Sequence, residues 1–299
     1  MAGPSLSAWW QLLRAGNVFT AISNVIVGFL LVREPWQPAL PLCLLMVSSA
    51  ALYLAGMVLN DVFDFELDRA ERPERPLPSG QISIAAASIV GWGLLIIGIL
   101  ASGFVSWLSG LWLPMWTACA LAVAIIAYNI KLKSTAIGSL AMGSCRLLNV
   151  LLGASIVSHA AEKQGAYLYA FSLGIYTVGL TLMARNETKQ SSQNSIKQAT
   201  NFIQFSLILL LLLPVFQDIP KYGWLAAWLA IVFTVRVFCY DAYLSPTSRA
   251  VQRSVSRLIT MFIPLDALVA AAAVGWTASA LVLTLLIPTY VATRRTTMT

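Results

Sequence analysis

NDVFDFELDRAERPERPLPSG, residues 60–80, holds six of the chain's twelve acidic residues (Asp61, Asp64, Glu66, Asp68, Glu71 and Glu74) together with Arg69, Arg72 and Arg75. The remainder is apolar. Of 299 residues, 59% are hydrophobic and 10% are charged, and the mean hydropathy is +0.78. Uncharged runs of about 20 residues lie on either side of the stretch, the length at which a helix crosses a bilayer. They are continuous and lack the alternation of a transmembrane β-strand. The expected fold is therefore all-α, a multi-span transmembrane bundle, with residues 1–299 forming one integral membrane domain.

Working outward, hydropathy places spans at 9–32, 39–60, 82–107, 110–129, 135–158, 166–185, 201–216, 221–239, 250–273 and 276–293, which makes nine or ten. Trp9 and Trp10 suit an interfacial belt, and the first span is not expected to be a cleaved leader. The formal charge of +7 is unevenly placed. Connections after even-numbered spans hold twelve basic residues, among them Arg72, Lys131, Lys133, Arg185 and Arg253, whereas those after odd-numbered spans hold three, Arg33, Lys163 and Lys221. The positive-inside rule then puts the acidic stretch on the cytoplasmic face of a bacterial inner membrane or its equivalent. It also accounts for the basic balance without nucleic acid. Cys43, Cys119, Cys145 and Cys239 lie in apolar segments without metal-site or redox spacing and read as small hydrophobes.

At 100° per residue, Asp61, Asp64 and Asp68 fall within roughly 60° of one another on a helix, with Asn60 at the edge of that face and Glu66 nearly opposite. Three carboxylates so close repel unless a cation lies among them. Hard oxygen ligands of this kind suit Mg²⁺, which is held by one or two carboxylates plus waters and substrate phosphates. Arg72 and Arg75 follow, forks that pair with phosphate oxygens, on a loop stiffened by Pro73, Pro76 and Pro78. An acid row for metal beside basic forks predicts a diphosphate substrate.

These residues resemble the UbiA superfamily of intramembrane prenyltransferases. Asn60, Asp61, Asp64 and Asp68 match its first motif, N-D-x-x-D-x-x-x-D, and Arg75-Pro76-Leu77-x-Ser79-Gly80 matches the loop that follows. Tyr128 and Lys131 resemble the family's Y-x-x-x-K segment. The first helix, with Asn17, and CRLLNVLLGAS from Cys145 onward resemble the family's first and fifth helices. The resemblance implies Mg²⁺-dependent transfer of an isoprenyl group from its diphosphate to a small acceptor. It gives catalytic or metal roles to Asn60, Asp61, Asp64 and Asp68, catalytic roles to Tyr128 and Lys131, and diphosphate contact to Arg72, Arg75, Lys131 and Asn17. Arg146, an arginine inside a span, is a functional-site candidate on cost alone, as a diphosphate or an acceptor ligand. Asn17 and Asn149 could equally bond helices together. The role of Asp266 stays open.

The pattern departs from the family where a second aspartate motif is expected. Here the chain reads Arg185-Asn186-Glu187-Thr188-Lys189-Gln190, with one carboxylate. Glu187 and Gln190 are the candidate metal ligands there, and Arg185 and Asn186 the candidate diphosphate ligands. The departure resembles that of UbiA-like proteins in bacterial secondary-metabolite clusters of the ebo type, which implies a specialised acceptor. The competing reading is a non-catalytic or transport protein that binds a prenylated lipid. Transport would favour polar or broken helices at the bilayer midplane, whereas the polar residues here gather at helix ends. A CDP-alcohol phosphotransferase would need D-x-x-D-G-x-x-A-R, which is absent.

Overall fold

The computed structural model describes residues 6–32, 38–159, 163–185, 192–217 and 221–297. The described residues are almost wholly helical. A short helix α1 (Leu6–Leu13) leads through a 3-10 turn (Ala15–Asn17) into α2 (Val18–Leu30). Then come α3 (Ala39–Phe63), α4 (Phe65–Glu71), α5 (Ile84–Ser109), α6 (Leu113–Ile130), α7 (Gly138–Gly153) and α8 (Gln164–Ala184). The second part comprises α9 (Gln193–Leu209), α10 (Lys221–Leu244), α11 (Ser248–Thr260), α12 (Phe262–Ala273), α13 (Trp276–Leu283) and α14 (Leu286–Thr297).

Among the described residues, eight helical stretches are long and apolar enough to cross a membrane, and a ninth arises if the bent pair α1–α2 counts as one. The expected first, seventh and last spans differ in detail. The first is bent by 51° at Arg14, the one non-glycine residue in the left-handed region (φ 45°) among those described. The seventh is not short, because helix begins at Gln193, where the Ser192 hydroxyl accepts from the Ser195 amide. The polar residues Asn194, Gln198 and Asn201 had hidden those first turns from a hydropathy reading. The expected tenth span is broken into α13 and α14, and the stretch Trp276–Ala292 is shorter than a full crossing.

The helices form two consecutive sets. α3, α5, α6 and α7 pack in chain order and close through contacts of α3 with α6 and α7. α8 to α11 do the same, closing α11 onto α8. α7 on α8 and α2 against both α7 and α12 join the sets. The bilayer offers no hydrophobic drive between helices, so close approach through small residues matters. A Cβ on Gly28 would lie 2.1 Å from the Val150 carbonyl oxygen, and one on Gly153 2.1 Å from that of Val25, so α2 and α7 touch backbone to backbone. The outer face of α5 carries Ile89, Ile96, Leu100 and Trp107, all more than half exposed. Such a stripe suits lipid contact. Trp107, Trp112 and Trp116 cluster around the α5–α6 turn, at the opposite end of these helices from the acidic stretch, as an interfacial belt would. Trp9 instead packs inward, with α1, against Val58, Leu77 and Ile82.

Candidate active site

One cavity of about 600 Å³ opens where α3, α6 and α8 end and α7 begins. Its floor runs along α3 through Ser49, Tyr53, Gly56, Asn60 and Asp64, one residue per turn or so. At 1.5 Å per residue, the 11 residues from Ser49 to Asn60 span on the order of 16 Å. Leu121 and Ile125 of α6 and Met142 of α7 make apolar walls. The mouth is polar: Asn60, Asp64, Arg72, Lys133, Ser134 and Arg185.

The acid row is placed by a broken helix. α3 ends at Phe63, and Asp64 (φ −91°, ψ 4°) departs from helical geometry before α4 resumes. The register nearly survives, because the Asp64 amide donates to Asn60 and the Asp68 amide to Asp64. The three carboxylates nonetheless divide. Asn60 and Asp64 face the cavity, where the Lys133 ammonium donates to Asp64 Oδ1 at 2.5 Å and to Asn60 Oδ1 at 3.4 Å. Asp61 and Asp68, each 5% exposed, turn away. Arg75 bonds Asp68 at 2.6 Å and lies 3.8 Å from Asp61, which also accepts from Arg14 at 3.2 Å. The repulsion expected of three neighbouring carboxylates is thus relieved by three side-chain cations. Among the described residues no group of three or more His, Cys, Asp or Glu converges as a metal cluster.

The loop after α4 is built to hold Arg75. Leu77 and Ile82, 3% and 2% exposed, anchor it under α1. The Gly80 turn (φ 76°) reverses the chain, and the Ser83 hydroxyl caps α5 by accepting from the Ala86 amide. Arg75 therefore faces its own acid row and not the cavity, unlike Arg72.

The expected site residues separate by where the structure places them. Asn60, Asp64, Arg72, Tyr128, Arg146 and Arg185 line the cavity. Asp61, Asp68 and Arg75 form an ion-paired layer behind it, and Asn17 lies near Tyr53 without lining the cavity. Lys131 differs from expectation. It is exposed at the C-terminal cap of α6 (φ −143°, ψ −40°), and the 3-10 turn Leu132–Ser134 brings Lys133 into the cavity in its place. Asn186, Glu187 and Gln190 lie outside the described residues, while Arg185 donates to the Thr135 carbonyl at 2.7 Å across the mouth.

Sequence reasoning missed Arg14 and Tyr53, and left Lys133 behind Lys131. Nothing in the spacing of Arg14 singles it out, since its path to Asp61 depends on the bend it creates. Tyr53 sits seven residues before Asn60, two turns along the same helix face, which is a usable signal. Deeper in, Arg146 donates from Nη1 to Asn24 Oδ1 at 2.8 Å and to the Thr20 carbonyl at 3.2 Å, with its guanidinium 4.2 Å over the Phe262 ring. Such a stacked, bonded arginine is the arrangement that makes an intramembrane charge tolerable.

The arrangement offers a cationic mouth, a carboxylate–amide pair and an apolar throat. Residues 21–195, more than half of the chain, match the UbiA prenyltransferase family. The chain is 30% identical over 173 residues to the digeranylgeranylglyceryl phosphate synthase of Methanobrevibacter smithii, covering 58% of this chain and 60% of that relative. Its fold is similar to the apo structure of a UbiA homolog from Aeropyrum pernix (TM-score 0.67, 14% identity, 83% of this chain and 97% of that one). It is also similar to the structure of a UbiA homolog from Archaeoglobus fulgidus bound to DMAPP and Mg²⁺ (TM-score 0.60, 14% identity, 92% and 99%). Motif, helix order and a family match spanning both the acid row and the cavity agree, and the chain belongs to the UbiA prenyltransferase family.

Proposed function

We propose that the chain transfers an isoprenyl group from an isoprenyl diphosphate to a small acceptor, with the cavity mouth on the cytoplasmic side. The observation that carries this is the cavity itself, cationic at the mouth, with apolar walls of Leu121, Ile125 and Met142 and a polar inner end. The C1–O bond of the donor breaks and the diphosphate leaves with the electron pair. The acceptor's nucleophilic atom bonds to C1 and gives up its proton. Arg72, Lys133 and Arg185 stand where a departing diphosphate needs positive charge. Leu121, Ile125 and Met142 exclude water from the allylic cation and leave the tail to run into lipid.

Mg²⁺ fits the donors present. Asn60 Oδ1 and Asp64 Oδ1 already share one cation, the Lys133 ammonium, so both oxygens converge on a single point outside α3. One carboxylate, one amide and substrate phosphates make a set that Mg²⁺ accepts. When bound, the ion would neutralise developing charge on the leaving diphosphate. Lys133 would give up its hold on Asp64 and turn to phosphate. Asp61 and Asp68 support the pair from behind while Arg14 and Arg75 hold them.

The acceptor in this reading is a small polar molecule of specialised metabolism, in keeping with the polar inner end of the cavity. The relatives named for digeranylgeranylglyceryl phosphate favour a second reading, a glycerophosphate lipid. The test is diphosphate release by the full chain in lipid nanodiscs with geranyl diphosphate, with and without Mg²⁺, followed by mass spectrometry of prenylated products from either acceptor class. Release that is slow without Mg²⁺ and falls by about 10²-fold in Asp64→Asn supports transfer. Wild-type release in Asp64→Asn rules it out.

A further inference from the structure

The inner end of the cavity carries a second polar site that the acid row does not explain. Asp266 of α12 is fully buried, 0% exposed, and does not line the cavity. It accepts from Ser23 Oγ at 2.5 Å, from Asn24 Nδ2 at 2.7 Å and from the Tyr169 hydroxyl. Asn24, itself 0% exposed, spends its other end on Arg146. The amide therefore relays a carboxylate to a guanidinium across α12, α2 and α7. Leaving a charge so deep costs several kcal/mol per ion unless paired, so a chain that keeps both gains something specific from them.

What Arg146 offers is directional. Thr20 and Asn24 engage Nη1, with Thr20 Oγ1 also reached by Nη2 at 3.3 Å, and Phe262 covers one face. Nε has no partner among the described residues, and the side chain lines the cavity. Its level is fixed by Asn149, one turn along α7, which accepts from Ser49 Oγ at 2.7 Å. Arg146 thus sits one turn nearer the mouth than Asn149, at about the level of Tyr53, seven residues or on the order of 10 Å along α3 from Asn60. Its hydrogen-bond partners, Thr20 and Asn24, belong to α2, and it makes no hydrogen bond among the described residues with Asn60, Asp64, Arg72 or Lys133, the groups that face a diphosphate at the mouth. The guanidinium has donors only, so its ligand must present oxygen acceptors, and a fork in an apolar throat selects an oxyanion.

We propose that Arg146 is the anchor for an oxyanion on the acceptor, a carboxylate or a phosphate, and that Asp266 and Asn24 are positioning residues that hold its fork toward the cavity. The proposal rests on the prenyl-transfer reading for the identity of the ligand as acceptor. Of the two roles open to Arg146 from the sequence, diphosphate ligand or acceptor ligand, it selects the acceptor.

The test is equilibrium binding to the full chain in nanodiscs, with three probes: geranyl S-thiolodiphosphate with Mg²⁺, 4-hydroxybenzoate, and a short-chain monoalkylglycerol phosphate. At least one oxyanion probe should bind wild type, and the better of the two identifies the source. Arg146→Gln should weaken that probe about tenfold or more, with donor-analogue affinity within roughly threefold. Arg146→Lys should recover part of the loss, since it keeps the charge without the fork. Asp266→Asn should weaken the same probe and spare the donor analogue, a selectivity that a merely structural role would not produce. Should Asp266→Asn fail to fold, Thr20→Val, which removes a hydroxyl that Arg146 grips, should give the same selective loss. The proposal is overturned if neither oxyanion probe binds wild type, if Arg146→Gln weakens donor and oxyanion equally, or if Arg146→Gln changes nothing. Failure of the donor analogue to bind wild type would count against prenyl transfer and not against this anchor, which the oxyanion arms decide separately.

Discussion

Arg14 is in the left-handed region with a full side chain, a conformation that costs on the order of 1 kcal/mol or more and persists only where surroundings enforce it. Its ion pair with Asp61 supplies that enforcement. Arg14→Gly should therefore relieve backbone strain while removing charge, so that thermal stability changes little and diphosphate release falls. Arg14→Gln loses the charge and keeps the strain, and should melt lower than Arg14→Gly. Comparing the two melting curves separates the contributions. Lys131 and Lys133 make a second contrast. Lys133 touches Asp64 and Asn60, whereas Lys131 is exposed at a helix cap. Lys133→Ala should reduce diphosphate release by roughly tenfold to a hundredfold, and Lys131→Ala should leave it near wild type. Equal losses from both would refute the placement. The ordering of these lysines was not legible in the sequence. Both lie within one turn of a helix end, and which points inward depends on how the chain leaves α6.

The crossing of α2 and α7 is the element on which the inner site depends. Gly28 and Gly153 bring the backbones together at one end, and Thr20, Asn24 and Arg146 join them at the other. Gly153→Ala would put a Cβ 2.1 Å from the Val25 oxygen, and the helices must part. Overpacking of this kind costs about 1–3 kcal/mol. The variant should lose thermal stability, and its acceptor binding should suffer more than its donor binding, because α2 carries the groups that tether Arg146 while the mouth is built from α3, α6 and α8. The α3–α4 break at Asp64 is the other decisive element. A continuous helix predicts three carboxylates facing one way, within about 60° of one another. The observed chain keeps that spacing but pairs Asp61 and Asp68 with Arg14 and Arg75 away from the cavity, leaving Asp64, with Lys133, to face it.

At the scale of the whole molecule, the asymmetry of basic residues predicts that the mouth faces the cytoplasm. Single cysteines introduced at exposed Lys131 and exposed Trp112, in a background without Cys43, Cys119, Cys145 and Cys239, should label from opposite sides in intact cells, Lys131→Cys only after permeabilisation. Labelling of Lys131→Cys from outside would invert the orientation. The sequence alone determined the class, because 20-residue apolar runs have no stable alternative to helices inside lipid, where backbone groups must bond within their own segment. It also marked where the cavity opens, since Asn60, Asp64 and Arg72 of the acidic stretch line it. Tertiary structure decided the rest. Which acid faces the cavity, which lysine lines it and what holds Asp266 depend largely on partners distant in sequence, such as Arg14, 47 residues from Asp61, and Ser23, 243 residues from Asp266. Periodicity along one helix carries no information about such contacts, because the side chain that neutralises a charge is chosen by packing between helices.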